Sequence, residues 1–149
     1  MKEKLKLGLI TLLMVTFAGI ANAGGVGYID YVKVIDNYDY AKQVTKEIDA
    51  KGLEMQQYLV DKEKEYKSLD TPLKKQTFEE RVSQEFKTKE TAYLTLKEKR
   101  ETEVYNKIKE AAKSVMVEQR LDAVMDARGV FVGGVDITDS VISKLKTMK

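Results

Sequence analysis

The chain has 149 residues, about a third of them charged, with 26 basic and 24 acidic side chains and a formal charge of +2. It contains no histidine, cysteine or tryptophan, so the commonest general base, the thiolate nucleophile and the usual zinc ligands are missing and disulfide bonds are excluded. No glycine-rich phosphate loop or nucleophile elbow occurs either, which argues against an enzyme and gives no reason to expect a cofactor or a metal.

The first 23 residues have the three parts of a secretory signal peptide. These parts are a basic start, an apolar middle and a small-x-small cleavage site: Lys2 to Lys6, residues 7–20 and Ala21 to Ala23. The apolar run is shorter than the roughly 20 residues of a membrane-spanning helix, so we predict cleavage near Ala23 and a soluble exported product. Cleavage removes three lysines and one glutamate, and the formal charge of the mature chain falls to 0, which leaves no net attraction for nucleic acid or anionic membrane.

A short strand is predicted at residues 26–31, which are rich in β-branched and aromatic side chains and follow a glycine pair. A strand this short needs partners to be stable. The next β-rich stretch of the chain lies almost a hundred residues later, so the partners must come from the other end of the sequence.

Residues 37–119 predict a long antiparallel helical-hairpin arm. From Val34 onward apolar residues recur at sevens, as in a coiled coil, although Gly52 and Lys62 interrupt the seam. The only proline, Pro72, places the turn of the hairpin near residues 68–72, with Asp70 or Thr71 as helix cap. A capping-box sequence that begins at Thr77 leaves a competing start for the second helix.

The second helix of the arm has a different repeat. Val82, Tyr93, Val104 and Val115 stand eleven residues apart, a period of 3.67 residues per turn that indicates a nearly straight helix. Running from Pro72 to about residue 119 at 1.5 Å per residue, it would be about 70 Å long. Such a helix is far longer than a compact domain of this size requires.

The end of the chain predicts a β-hairpin followed by a short helix. Residues 121–127 and 130–132 have the composition of strands, with Arg128-Gly129 as the turn and Gly133-Gly134 as a second break. Beyond them Val141, Ile142 and Leu145 lie on one face of a helix, for which Asp136 or Thr138 is the candidate cap.

The predicted fold class is therefore α+β, with a small β-sheet body made from residues 24–36 and 120–149 and a long helical arm between them. A three-stranded sheet has two unpaired edges, which repetition around a symmetry axis would close into an oligomeric β-barrel. The candidate oligomerisation residues are the apolar and aromatic side chains of the predicted strands: Tyr28, Ile29, Leu121, Val124, Val130, Phe131 and Val132.

Five segments together carry a resemblance to a known family. The signal peptide, GYIDYVKVI, the charged helical hairpin, LDAVMDARGVFV and the closing DITDSVISKL are similar to the Skp/OmpH family of periplasmic chaperones over essentially the whole mature chain. The resemblance implies a periplasmic homotrimer with a central β-barrel body. Its three arms would surround a cavity that holds unfolded outer-membrane proteins, without nucleotide or metal.

A holding chaperone needs many weak, adaptable contacts, which tyrosine, phenylalanine and methionine side chains provide. The candidates for client contact in the arm are aromatic: Tyr58, Tyr66, Phe78, Phe86 and Tyr93. Tyr66, Phe86 and Tyr93 lie on the periodic seams, where packing of helix against helix is the favoured alternative. For Tyr58 and Phe78 packing and client contact are evenly balanced.

The chain departs from the family in its charge. Family members are typically basic, whereas this mature chain is neutral, so we expect client capture to depend more on apolar contact and less on salt. No lipopolysaccharide site is carried over, and weak contact with lipopolysaccharide or a membrane surface is left open.

The sequence fits two other classes of function less well. A structural or adaptor coiled-coil protein of the cell envelope is the alternative. Such a spacer needs a continuous apolar seam, whereas Gly52, Lys62, Lys89 and Arg100 interrupt this one, which favours flexible arms. A nucleic-acid binder is disfavoured by the export signal and by the absence of net positive charge.

Overall fold

The computed structural model describes residues 24–148, and the signal peptide predicted for residues 1–23 lies outside them. In chain order the elements are β1 (Val26–Ile29), α1 (Tyr31–Asp36), α2 (Asp39–Lys67), α3 (Pro72–Glu118), β2 (Ala123–Asp126), a 3-10 turn (Ala127–Gly129), β3 (Val135–Asp136) and α4 (Thr138–Thr147). The two long helices and the small three-stranded sheet confirm the predicted α+β class. In the described part of the chain, no helix combines the length and the hydropathy of a membrane span.

The sheet joins the two ends of the chain. Its strand order is β2-β1-β3, and both outer strands run parallel to β1. Val26 pairs with Ala123 at the start of the first ladder, and Gly27 pairs with Val135 at the start of the second. The whole of α2 and α3 is therefore an excursion between two neighbouring strands.

The β-hairpin predicted at residues 121–132 is wrong. The Asp126 carboxylate at the end of β2 accepts a hydrogen bond from the Arg128 backbone N–H at 2.9 Å and pairs with the Arg128 guanidinium at 2.8 Å, which closes the 3-10 turn. Residues 130–132 are not a strand. Gly133 and Gly134, with φ of 84° and 88°, then turn the chain so that Val135 pairs with β1 on its far side. Left-handed backbone of this kind suits glycine.

The first strand is shorter than predicted because Asp30 caps a helix. Its carboxylate accepts from the Lys33 N–H at 3.0 Å, so α1 begins at Tyr31 and β1 ends at Ile29. The Asp30 N–H in turn donates to the Thr138 hydroxyl at 3.0 Å. That hydroxyl donates to Asp136 Oδ1 at 2.6 Å, and Asp136 also accepts from the Thr138 N–H at the start of α4.

Helices α2 and α3 form an antiparallel hairpin. The Arg100 guanidinium bonds to Glu47 at 2.7 Å near one end, and the Tyr58 hydroxyl donates to Glu85 at 2.7 Å near the other, so residues progress in opposite directions along the two helices. The chain turns at residues 68–71, and the Thr71 hydroxyl accepts from the Lys74 N–H at 3.3 Å to cap α3. At 1.5 Å per residue, α2 is about 43 Å long and α3 about 70 Å.

The hydrophobic core lies where the sheet, α1, α4, the start of α2 and the end of α3 meet. Its buried members are Ile29, Val34, Ala41, Val44, Ile48, Val104, Ile108, Ala111, Ala112, Val115, Ile137, Val141, Ile142 and Leu145. Between Ile48 and Val104 only Phe78 is buried in the described chain. The seven-residue seam is thus a core only at its beginning, and Leu59 and Leu73 further along it are exposed.

Candidate functional site

The outer face of the sheet is an exposed apolar surface. Because side chains alternate along a strand, Gly27 and Ile29 point into the core while Val26 and Tyr28 point away from it. Val26 and Met125 form a shallow pocket with the connection at residues 129–134. Within that connection Phe131 is fully exposed and Val132 is 86% exposed. A surface of this kind on a folded subunit is typical of a protein contact.

The structure divides the predicted oligomerisation residues between the two sides of the sheet. Those on the outside are Tyr28, Val130, Phe131 and Val132, with Val130 half-buried. Ile29 belongs to the core of the subunit, and Leu121 and Val124 pack against that core. Leu121 fills the space beside Gly27, where an added Cβ would lie 2.7 Å from Leu121 Cδ1.

Val26 and Met125 are two exposed members of the outer face that sequence reasoning missed. The sequence contained a signal for them, because each lies an odd number of positions from residues of its own strand that face the core, and side chains alternate along a strand. Without the register between β1 and β2, the sequence does not say which face is which.

At the tip of the hairpin the aromatic side chains are covered by the chain's own cations. The rings of Tyr66 and Phe78 lie 6.0 Å apart, and Phe78 is buried between the helices. Lys62 Nζ lies 5.8 Å from the centre of the Phe78 ring, and the Arg81 guanidinium lies 5.3 Å from it. Lys75 lies 5.2 Å from the Tyr66 ring. At these distances cation and ring attract each other.

Tyr58 is covered in the same way. Lys62 and Lys89 lie 5.7 and 5.0 Å from its ring, and its hydroxyl donates to Glu85. Burial, followed by the hydrogen bond to Glu85, raises the pKa of Tyr58 to about 12. Three of the five predicted client-contact residues therefore lie in one cation-covered cluster at the tip.

The other two predicted client-contact residues lie elsewhere. Phe86 is half-buried further along α3, and Tyr93 packs against the core at the root of the hairpin. Between root and tip, α2 and α3 leave an open pocket of about 290 Å³ beside Met55 and Tyr93. The five aromatics thus do not form one surface on the subunit.

An ion network fixes the root of the hairpin. Arg100 Nε and Nη2 donate to Glu47 Oε2 at 2.9 and 2.7 Å, Arg100 Nη1 donates to Glu103 at 2.8 Å, and the Tyr40 hydroxyl donates to Glu103 at 2.9 Å. The hydrogen bonds from Arg100 and then Tyr40 lower the pKa of Glu103. Arg100, which interrupts the apolar pattern in the sequence, therefore ties α3 to α2 at the root of the hairpin.

Next to this network lies an open groove of about 940 Å³ between α1, α2 and α3, here called the root groove. Its apolar surface comes from residues of all three helices: Ile35, Val44, Ile48, Leu94 and Val104. The rings of Tyr31 and Tyr105, 6.4 Å apart and inclined by 55°, stand at its edge. Asp49, Glu98 and Glu101 contribute carboxylates.

These surfaces are suited to binding a protein chain. Among residues 24–148 no group of three or more acidic side chains is placed to hold a metal ion. The outer sheet face offers apolar and aromatic area, and the root groove combines such area with charged side chains, as protein-contact surfaces do.

Comparisons with known proteins give a matching family model and similar solved structures. The sequence model of the family described as outer membrane protein (OmpH-like) matches residues 25–145. Among solved structures, an OmpH-like protein from Caulobacter crescentus CB15 is similar at 15% identity, with a TM-score of 0.40, over 85% of this chain and 88% of that chain. No curated protein matches the chain.

Proposed function

Because the chain belongs to the OmpH-like outer membrane protein family, we propose that it is a periplasmic chaperone that holds unfolded outer-membrane proteins without ATP. In this proposal the signal peptide is removed near Ala23, and the mature chains form a homotrimer. The three sheets join into a common barrel, and the hairpins project around a cavity in which a client is kept from aggregating.

The observation that carries the proposal is the exposure of the hairpin. Beyond Ile48 on α2 and before Val104 on α3, the described chain buries only Phe78. Most of the hairpin surface is therefore free to contact another chain. Many weak contacts spread over such a surface suit a partner that has no fixed shape.

The outer face of the sheet supports the trimeric assembly. Phe131, Val132, Val26 and Met125 are exposed together in the single subunit. Burial of their apolar area in a subunit contact would contribute roughly 25 cal/mol per Å².

The hairpin supports a holding function better than an adaptor function. A spacer needs closely packed helices along its length, whereas here an open pocket of about 290 Å³ lies between α2 and α3 beside Met55 and Tyr93. Leu59 and Leu73, which the apolar pattern of the arm would place between the helices, are 44% and 73% exposed.

The proposal is tested with the processed protein and an unfolded β-barrel membrane protein diluted from urea. We expect a trimer in light scattering and suppression of client turbidity, equally with and without ATP. An unrelated soluble protein at the same mass concentration is the control. A monomer, or a trimer that leaves aggregation unchanged at several-fold excess, would refute the proposal.

A further inference from the structure

The root groove differs from the hairpin tip in having aromatic rings that no cation covers. At the tip, Lys62, Lys75, Arg81 and Lys89 lie over the rings of the aromatic cluster. In the described part of the chain, no lysine or arginine lies over Tyr31 or Tyr105. Tyr105 and Leu94, both at the groove, are 52% and 55% exposed in the subunit.

The groove also has an excess of negative charge. Asp49, Glu98 and Glu101 line it together with one cation, Lys97. Lys97 Nζ lies 3.9 Å from Glu101, while Asp49 and Glu98 have no lysine or arginine partner within 4 Å among residues 24–148. Burial, followed by the nearby Tyr105 and then the Glu101 carboxylate, raises the pKa of Tyr31, which is consistent with negative charge at the edge of the rings.

These features together define the chemistry of an occupant. The apolar lining of the groove favours aliphatic or aromatic side chains, since Leu94 is 55% exposed there. The exposed ring of Tyr105 and the carboxylates of Asp49 and Glu98 line the same groove, and both kinds of group attract an ammonium or guanidinium group. An acidic segment would meet Asp49 and Glu98 with like charge.

We propose that the root groove binds an extended, apolar segment that carries lysine or arginine, supplied by an unfolded client. The basic side chain is held by the Asp49 and Glu98 carboxylates and the exposed ring of Tyr105, and its apolar neighbours pack against Leu94. This inference rests on the proposed function in that the segment belongs to a client. The groove selects segments by charge, even though the mature chain as a whole is formally neutral.

The test compares two fluorescent peptides that share one apolar sequence and carry either two lysines or two glutamates. Fluorescence anisotropy with the processed wild-type protein at low salt should give a Kd about five- to tenfold lower for the lysine peptide, since one exposed cation–π contact and one exposed ion pair are each weak. The difference should shrink as salt is raised. Equal affinity for the two peptides would overturn the inference.

Three variants locate the site. Glu98→Lys should abolish the preference for the lysine peptide, and Glu98→Gln should reduce it. Glu90→Lys makes the same change of net charge at an exposed position of α3 that does not line the groove, and it should leave the preference intact. If Glu90→Lys weakens binding as much as Glu98→Lys, only general electrostatics is at work and the groove assignment is wrong. Circular dichroism and light scattering confirm that each variant retains the helical content and assembly of the wild type.

Client turbidity measured on the wild type separates this inference from the proposed function. Suppressed aggregation without a peptide preference refutes the root-groove assignment and supports the holding function. A peptide preference without suppressed aggregation supports the groove and refutes the holding function.

Discussion

At the scale of single residues, Thr138 is the polar link between the two ends of the chain. Its side chain is only 1% exposed, accepts from the Asp30 N–H and donates to Asp136. Asp30 directly follows β1, and Asp136 ends β3 just before α4. The Thr138 hydroxyl therefore joins the end of β1 to the connection between β3 and α4.

Replacing Thr138 with valine keeps the shape and removes the hydroxyl. Leaving the Asp30 N–H without its acceptor should lower the free energy of unfolding by about 1–3 kcal/mol. Urea denaturation followed by circular dichroism, at one protein concentration, measures the change. Thr138→Ser retains the hydroxyl and should lose less than half as much, and equal losses in the two variants would show that the hydrogen bonds contribute little.

Gly27 is the position in the sheet that has least room for a side chain. An added Cβ would lie 2.7 Å from Leu121 Cδ1 and 3.5 Å from Ile137 Cδ1, on the core side of β1. Gly27→Val should therefore destabilise the subunit by about 1–3 kcal/mol through overpacking.

The neighbouring glycine provides the control for Gly27→Val. An added Cβ at Gly25 meets Leu121 Cδ2 at 3.6 Å, an ordinary contact distance, so Gly25→Ala should change stability little. Thermal unfolding of both variants checks the contrast. A Gly27→Val chain as stable as Gly25→Ala would show that Leu121 moves aside without cost.

At the scale of elements, the charged side chains of the hairpin make its stability depend on acid pH. The hydrogen bond from Lys62 is the main cause that lowers the pKa of Glu65, and the bond from Arg100 is the main cause for Glu103. A carboxylate whose pKa is lowered in the folded state stabilises the fold at pH values above its ordinary pKa of 4.5. This contribution disappears as the pH falls through the lowered pKa.

The thermal midpoint should therefore change little between about pH 8 and pH 5, since the chain has no histidine, and fall below pH 4.5. Glu103→Gln should be less stable than wild type at pH 7 and should show a flatter acid dependence. Glu90→Gln, an exposed carboxylate that lies in none of these ion pairs, should keep the wild-type slope. A midpoint that is independent of pH down to pH 3 would contradict the role of these pairs.

Helix boundaries were easier to predict than strand partners because their signals are local. Pro72 and the Thr71 cap act within one helical turn, and α3 begins there. Residues 130–132 have a stronger strand composition than Val135 and Asp136, yet only the latter two form a strand. The difference depends on where Gly133 and Gly134 direct the chain and on the free edge of β1, which are properties of the tertiary structure.

The same contrast between local signals and tertiary structure applies to the candidate surfaces. Tyr58 and Phe78 could be identified as aromatic residues of the arm from composition alone. The contact of Lys62 with Tyr58 is local, since the two residues stand four apart on α2. That Lys62 also covers Phe78 and that Lys89 covers Tyr58 could not be predicted, because these contacts join α2 to α3 and depend on the register between the helices. The root groove was missed for a similar reason, since its edge combines Tyr31 of α1 with Tyr105 of α3.

At the scale of the whole molecule, Phe131 distinguishes assembly from folding. Its side chain is fully exposed in the subunit, so Phe131→Asp should leave subunit folding unchanged. In a trimer joined through the outer sheet face the new charge would be buried without a partner, which costs several kcal/mol. We expect light scattering to show monomers with wild-type helical content.

Leu73→Asp is the matched change at the tip of the hairpin, where the leucine is 73% exposed. It should leave the oligomeric state of the wild type unchanged. A Phe131→Asp variant that remains a trimer would place the subunit contact somewhere other than the outer sheet face.

The parallel pairing of β1 with both later strands also limits the order in which the elements of the subunit can fold. Val26 meets Ala123 only after about a hundred intervening residues have been brought together, a contact of very high sequence separation. Helices α2 and α3 depend on nearby residues and can form first, which shortens the path between the strands. We therefore expect the sheet to close last, so that a chain truncated before β2 forms helices but lacks the outer sheet face.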